Sequence, residues 1–175
     1  ISVHEEARWP FTGHLHDAGC GNCFNLPVPR GFNDTEMRAV LDRLILPRVQ
    51  SFRPEAIVLQ CGADALDEDP LSRLSLSNNA HWSVVAALRP LSPRYLVLGG
   101  GGYDPWSVGR CWTGVWATLS GQEIPDRLPA AAQDVLRALP QGRRPSPAPY
   151  MITTLRDPPR EGPVRAEVTD RLAAL

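Results

Sequence analysis

The sequence contains no lysine, because all 18 of its basic residues are arginine. This absence excludes lysine chemistry, both a Schiff-base nucleophile and the lysine that completes a phosphate-binding loop. There is also little excess charge: the formal net charge is -1, so composition indicates no general affinity for nucleic acid or for an anionic membrane. No apolar run approaches the length of a membrane span, and the first residues do not resemble a signal peptide.

Cysteine is scarce, which restricts the disulfide and metal sites that can be expected. The chain has four cysteines, and only Cys20 and Cys23 form a C-x-x-C pair, with no second pair at the spacing of a zinc ribbon. We interpret both as loop residues, and the alternative is a redox or metal-binding pair. So few cysteines fit a reduced, cytoplasmic compartment better than an oxidising one.

Histidine is equally rare, and the four imidazoles are His4, His14, His16 and His81. His14 and His16, followed by Asp17, could hold a metal, and the alternative is a set of solvated loop residues. His81 falls early in a predicted helix, where we expect a structural hydrogen bond. His4 stands at a strand end, and its role stays open.

Apolar periodicity predicts helices that alternate with two strands. Asn33 and Asp34 can cap the first helix, and Pro47 inside it predicts a kink or break near Leu46. Pro54 ends this helix. The other expected elements are a strand tail at residues 1–4, a loop at residues 5–31, a helix from Ser77 to Pro90 and a helix that opens at Asp104–Pro105.

Two continuous apolar runs, residues 56–59 and 95–98, predict strands that are buried on both faces. Together with the helices they predict an α/β fold, a parallel sheet with helices on both faces. In such sheets ligands bind beyond the carboxyl ends of the strands. We assign residues 1–126 to this domain and residues 127–175 to a Pro/Arg-rich, mostly irregular extension that wraps it.

Both strand runs end in residues that can carry chemistry. Asp64 follows the first run, where a carboxylate can bind a cation or simply cap a turn. The four consecutive glycines Gly99–Gly102 end the second run, and they imply either a phosphate cradle or a wall of backbone against a narrow ligand. Tyr103 comes next, and its phenol can donate a hydrogen bond to an oxyanion or serve only in packing.

These blocks, in this order, resemble the histone deacetylase family, with the bacterial acetoin-utilisation and acetylpolyamine amidohydrolase-like branch nearest. The resemblance covers residues 2–126. The segments that carry it are Leu59–Asp64, Asp69-Pro70-Leu71, Leu98–Tyr103, Arg110-Cys111-Trp112, Trp9-Pro10, Thr12-Gly13 and Asn25-Leu26-Pro27.

The resemblance implies a partial arginase/deacetylase-like domain that removes acetyl groups from acetyl-lysine or other acetylated amines. It implies that Asp64 is the second zinc-binding aspartate and that Tyr103 polarises the acetyl carbonyl. It also implies a structural monovalent cation, such as potassium, near Ser2 and the Val3 carbonyl. The positions carried over as walls of the acyl channel are Gly101, Leu71 and Trp9.

One departure from the family pattern is large: the paired histidines and the Asp-x-His metal pair have no counterpart in this sequence. The opening at Ile1 therefore suggests the interior of a longer protein, with the other half of the site on a missing N-terminal half or another subunit. The rival is a truncated, non-catalytic interaction module. A ureohydrolase of the arginase type and a nucleotide-binding α/β domain are weaker alternatives, because the first needs Asp-x-His-x-Asp and the second a lysine.

Overall fold

Four short parallel strands carry the site in the structure, a computed structural model that describes residues 1–140 and 146–175. β1 (Ser2–Glu5) pairs with β2 (Asn25–Val28), and β3 (Ile57–Gln60) pairs with β4 (Tyr95–Leu98), both in parallel. Parallel pairs require a crossover connection, here supplied by helices between β3 and β4. The predicted α/β class is confirmed. The prediction of a loop at residues 5–31 is wrong at β2. This strand has only four residues and contains Pro27, a residue type that is uncommon in strands.

The helices up to residue 120 follow the order expected from the apolar periodicity, and three further helices lie beyond it. Together they are α1 (Asp34–Val40), a π-helical turn (Leu41–Ile45), α2 (Leu46–Phe52), α3 (Asn78–Leu88), α4 (Pro105–Ser120), α5 (Ala130–Ala138), α6 (Pro149–Thr153) and α7 (Ala166–Ala173). Two 3₁₀ turns, Ala63–Ala65 and Arg89–Leu91, complete the set.

The first helix begins with the capping residue that the sequence predicts. The Asn33 side chain accepts hydrogen bonds from the backbone N–H of Thr35 and of Glu36, and Glu36 Oε2 accepts from the Asn33 backbone N–H at 3.1 Å. This reciprocal arrangement is a capping box. Near Leu46, where a kink or break is expected, the helix is not interrupted but changes from the π-helical turn to α2. The wider turn just before Pro47 accommodates a residue that has no N–H.

The C-terminal residues are more ordered than predicted. Between residue 127 and the C-terminus the described part contains α5, α6 and α7, three helices that the sequence analysis did not predict, and irregular segments connect them. Val168 and Leu172 of α7 lie in the larger hydrophobic core beside Leu26 and Val28 of β2. We call residues 146–175 the C-terminal strap, because they run across the domain and bury side chains in it.

The β3–β4 pair is covered on one face only. Leu59, Tyr95 and Val97 pack against the hydrophobic cores, whereas Val58 is 63% exposed and Leu96 is 53% exposed on the opposite face. The expectation of burial on both faces is therefore wrong for these strands in the described residues. In the same residues, no helix is both long enough and apolar enough to cross a membrane.

Candidate active site

Asp64 lies just beyond the carboxyl end of β3, in the 3₁₀ turn that follows it. The strand ladder continues past the strand ends, since the N–H of Cys61 donates to the Leu98 carbonyl at 2.9 Å and the N–H of Ala63 donates to the Gly101 carbonyl at 2.7 Å. These bonds bring the Asp64 turn beside the glycine run. The two sequence blocks expected to carry chemistry therefore lie at one sheet edge.

Glycine is needed at this edge because the backbones and the Asp64 carboxylate approach very closely. A Cβ built on Gly101 would lie 2.1 Å from Asp64 Oδ2, and one on Gly62 would lie 2.6 Å from Asp64 Oδ1. A Cβ on Gly100 would lie 2.9 Å from the Gly62 Cα. Of the two interpretations of the glycine run, this geometry favours the backbone wall, because the space that a side chain would fill is occupied by Asp64 and Gly62.

Tyr103 is joined to the Asp64 side of the edge through Asp69. The Tyr103 backbone N–H donates to Asp69 Oδ2 at 2.7 Å, while Asp69 Oδ1 accepts from the N–H of Leu71 at 2.9 Å and of Ser72 at 3.3 Å. Asp69 is 6% exposed and Tyr103 is 48% exposed. Sequence reasoning gave Asp69 no role, although Asp69-Pro70-Leu71 belongs to the blocks that carry the family resemblance.

Burial and neighbouring charges act on the Asp64 carboxylate in opposite directions. Its pKa lies above the ordinary aspartate value, mainly because burial disfavours the charged form; a backbone hydrogen bond lowers it, the Asp69 charge raises it and His81 lowers it. His81 makes the expected structural hydrogen bond, from its ring Nε2 to the Gly62 carbonyl at 2.9 Å. A site with two neighbouring carboxylates favours a positively charged occupant.

The expected channel-wall residues Leu71 and Trp9 are both exposed, Leu71 at 53% and Trp9 at 84%. The Arg8 guanidinium, next to Trp9 in the chain, donates a hydrogen bond to the Leu71 carbonyl. That bond links the loop that follows β1 to the loop that carries Asp69. Leu71 and Trp9 thus belong to two segments that this hydrogen bond joins, although the two side chains are not buried against each other.

Of the two residues expected at a monovalent-cation site, Ser2 is hydrogen-bonded to the neighbouring His4, and Val3 is not. His4 Nε2 lies 3.0 Å from the Gly13 carbonyl, so this nitrogen carries the proton; its Nδ1 therefore accepts from the Ser2 hydroxyl at 2.9 Å. In this arrangement His4 is used for local hydrogen bonds, and no other His, Cys, Asp or Glu side chains of the described residues gather with it into a metal site. Val3 packs its side chain against the larger core, which leaves only its backbone for a cation.

The other candidate ligands of the sequence are not brought together. His14 and His16 are exposed, and Cys20 and Cys23 are exposed free thiols. Across residues 1–140 and 146–175, no three His, Cys, Asp or Glu side chains are close enough to hold a metal. A catalytic zinc takes three protein ligands and one open position, so these donors do not make a complete zinc site, and Asp64 would be one ligand of it.

A parallel α/β sheet with a carboxylate and a tyrosine at its glycine-rich strand ends is the arrangement of an arginase/deacetylase fold. An HDAC homologue from Aquifex aeolicus superposes with a TM-score of 0.89 at 36% identity, covering 98% of this chain and 49% of that chain. An HDAC homologue complexed with SAHA gives the same values. The fold is therefore that of the deacetylases, and this chain spans about half the length of these two solved chains.

Sequence comparison gives the family directly. The histone deacetylase domain model matches residues 1–119. Histone deacetylase 6 of Arabidopsis thaliana is 38% identical over 134 residues, which is 74% of this chain and 28% of that protein; human Histone deacetylase 1 is 35% identical over the same length. The chain belongs to the histone deacetylase family. It spans about a quarter of the length of these curated relatives.

Proposed function

We propose that this chain is part of a zinc-dependent amidohydrolase that removes acetyl groups from acetyl-lysine or from other acetylated amines. The observation that carries the proposal is the joining of Asp64 and Tyr103 at one sheet edge by the bonds of Ala63 and Asp69. A metal-dependent amide hydrolase needs a metal ion that polarises the amide carbonyl and, next to it, a hydrogen-bond donor for the oxyanion. In this proposal Asp64 supplies one ligand for the metal ion, and the Tyr103 hydroxyl supplies the donor.

Each residue at the edge has a defined task in this proposal. The Tyr103 hydroxyl donates a hydrogen bond to the oxyanion that forms when the amide carbonyl is attacked. Gly101 keeps the channel wall free of side chains, and Leu71 and Trp9 flank the acyl group with apolar surface. We assign the base that takes a proton from water to residues outside this chain, because His4 and His81 each use Nε2 on a backbone carbonyl and His14 and His16 are exposed.

The remaining elements of the proposal concern the setting of the enzyme. Further metal ligands and the base would come from a complementary N-terminal half or from another subunit. A potassium ion near Ser2 and Val3 would have a structural role. The four cysteines are free thiols, which supports a reducing, cytoplasmic compartment.

The test is zinc content and deacetylation of an acetyl-lysine peptide by the complete product of the gene. Asp64→Ala is expected to lower bound zinc and to abolish turnover. Asp42→Ala, an exposed aspartate on the π-helical turn, serves as the matched control and should leave both unchanged. A complete product that binds no zinc and releases no acetate would refute the proposal and favour the non-catalytic interaction module.

A further inference from the structure

We infer that Asp69 is a positioning residue, which fixes Tyr103 relative to the Leu71 loop; the inference rests on the proposed function. One carboxylate serves both segments. Its Oδ2 accepts the Tyr103 backbone N–H at 2.7 Å, and its Oδ1 accepts the N–H of Leu71 at 2.9 Å and of Ser72 at 3.3 Å. Because the side chain is 6% exposed, water cannot easily substitute for either oxygen.

The segment before Tyr103 needs such an anchor because it has no side chains of its own. Gly99–Gly102 can adopt many backbone conformations, and Gly102 has φ +148°, which other residues rarely adopt. Beyond Tyr103, the Asp104 side chain accepts the N–H of Ser107 at 2.8 Å and fixes the start of α4. Tyr103 therefore lies between two carboxylate anchors, one on its own N–H and one on the helix that follows.

An asparagine could replace the hydrogen bond that Asp104 accepts, but not all of those that Asp69 accepts. Asn at position 104 would still accept from the Ser107 N–H, since asparagine is as good a helix cap as aspartate. Asn at position 69 would keep one oxygen and turn an NH₂ group toward backbone N–H donors. Either the Tyr103 N–H or the Leu71 and Ser72 N–H groups would then lose their acceptor. Asp69→Asn is thus the test and Asp104→Asn its matched control.

A small displacement of Tyr103 is expected to be costly for turnover. Misplacing a catalytic group by about 1 Å can lower the rate by about 100-fold. In the complete gene product, Asp69→Asn should therefore lower kcat by about 10- to 100-fold, with a smaller change in KM. Asp104→Asn should stay within a few-fold of the parent in both.

A double-mutant cycle with Tyr103→Phe separates positioning from a general loss of structure. If Asp69 acts through the Tyr103 hydroxyl, Asp69→Asn should have little further effect on kcat once that hydroxyl is gone. Additive losses in the cycle would overturn the inference. If Asp69→Asn does not fold, Asp69→Ser, which keeps one hydroxyl acceptor, takes its place in the same cycle.

Amide hydrogen exchange of the complete gene product gives a readout that does not depend on activity. Exchange at the Tyr103 N–H should be at least about 10-fold faster in Asp69→Asn and unchanged in Asp104→Asn, because an amide without its acceptor is less protected. Unchanged protection would overturn the inference. Faster exchange in a chain whose complete gene product lacks deacetylase activity would support the positioning by Asp69 and refute the proposed function.

Discussion

The sheet-edge site and the C-terminal strap both depend on carboxylates, but they compensate the negative charge differently. Where the strap meets α4, the Nη1 atom of Arg110 lies 2.6 Å from Oδ1 of the strap residue Asp157, and both side chains are 1% exposed. At the sheet edge, Asp64 has no arginine partner among the described residues and lies against glycine backbone. The charge of the strap is neutralised within the chain, whereas the charge of Asp64 remains available to a cation.

The buried Arg110–Asp157 pair is also hydrogen-bonded to the backbone around it. Asp157 Oδ2 accepts the Asn78 N–H at 2.9 Å, and Arg110 Nε donates to the Thr154 carbonyl at 2.8 Å. These bonds tie the strap to the first turn of α3 and to the middle of α4. We therefore expect substitutions in the strap to change stability, and substitutions at the sheet edge to change chemistry.

The largest effect that would test this division is expected from Asp157→Ala. It leaves the Arg110 charge buried and uncompensated, which costs about 3–5 kcal/mol of unfolding free energy. Urea unfolding monitored by tryptophan fluorescence measures the loss. Asp134→Ala breaks an exposed pair with Arg137 and should change stability by less than about 0.5 kcal/mol. Equal stabilities of the two variants would contradict the structural role of the buried pair.

The second effect concerns the sheet edge, where Tyr103→Phe removes only a hydroxyl. In the complete gene product kcat should fall by about 100-fold or more, because one oxyanion donor is lost, while the unfolding free energy changes little. Substrate affinity should change less, since the bond strengthens in the transition state. Turnover within a few-fold of the parent, combined with lower stability, would show that Tyr103 serves only in packing.

The contrast also explains which features of the fold and of the site could be predicted from the sequence. Local signals were reliable: the Asn33 cap, the α/β order and the strand-end positions of Asp64 and Tyr103 follow from short patterns. Contacts between residues far apart in the chain produce no short sequence pattern. For this reason neither the hydrogen bond between Asp69 and Tyr103 nor the helices of the strap could be predicted. Burial was misjudged at Val58, because an apolar run predicts a covering layer without showing whether the chain supplies it.

A smaller effect is expected from Gly101→Ala, which separates close approach from mere flexibility. The new Cβ would lie 2.1 Å from Asp64 Oδ2, so the carboxylate or the loop must move, at a cost of about 1–3 kcal/mol, and zinc binding should weaken. In Gly109→Ala, by contrast, the Cβ meets nothing within 4 Å in the middle of α4, and helix propensity predicts a gain of about 0.5–1 kcal/mol. Thermal unfolding of both variants checks the opposite signs.

The smallest effect tests whether Glu36 of α1, the carboxylate that pairs with Arg165 of the strap, shows the expected pH dependence. Burial alone raises the pKa of Glu36, but hydrogen bonds from Arg165 and Asn33 and the Arg165 charge outweigh it, so the pKa lies below 4.5. The stabilisation is therefore complete above about pH 4.5 and is lost as pH falls through the folded-state pKa.

Glu36→Gln, which keeps the side-chain acceptor of the capping box, should cost about 1 kcal/mol of unfolding free energy at pH 7, since Arg165 is partly exposed and screened. The difference from the parent in urea unfolding should shrink as the pH is lowered below 4.5, whereas Glu167→Gln, which loses a partly exposed pair with Arg171, should show little difference over the same range. A cost of Glu36→Gln that does not fall at all as the pH is lowered below 4.5 would show that shape, rather than the charge shared with Arg165, holds this part of the strap.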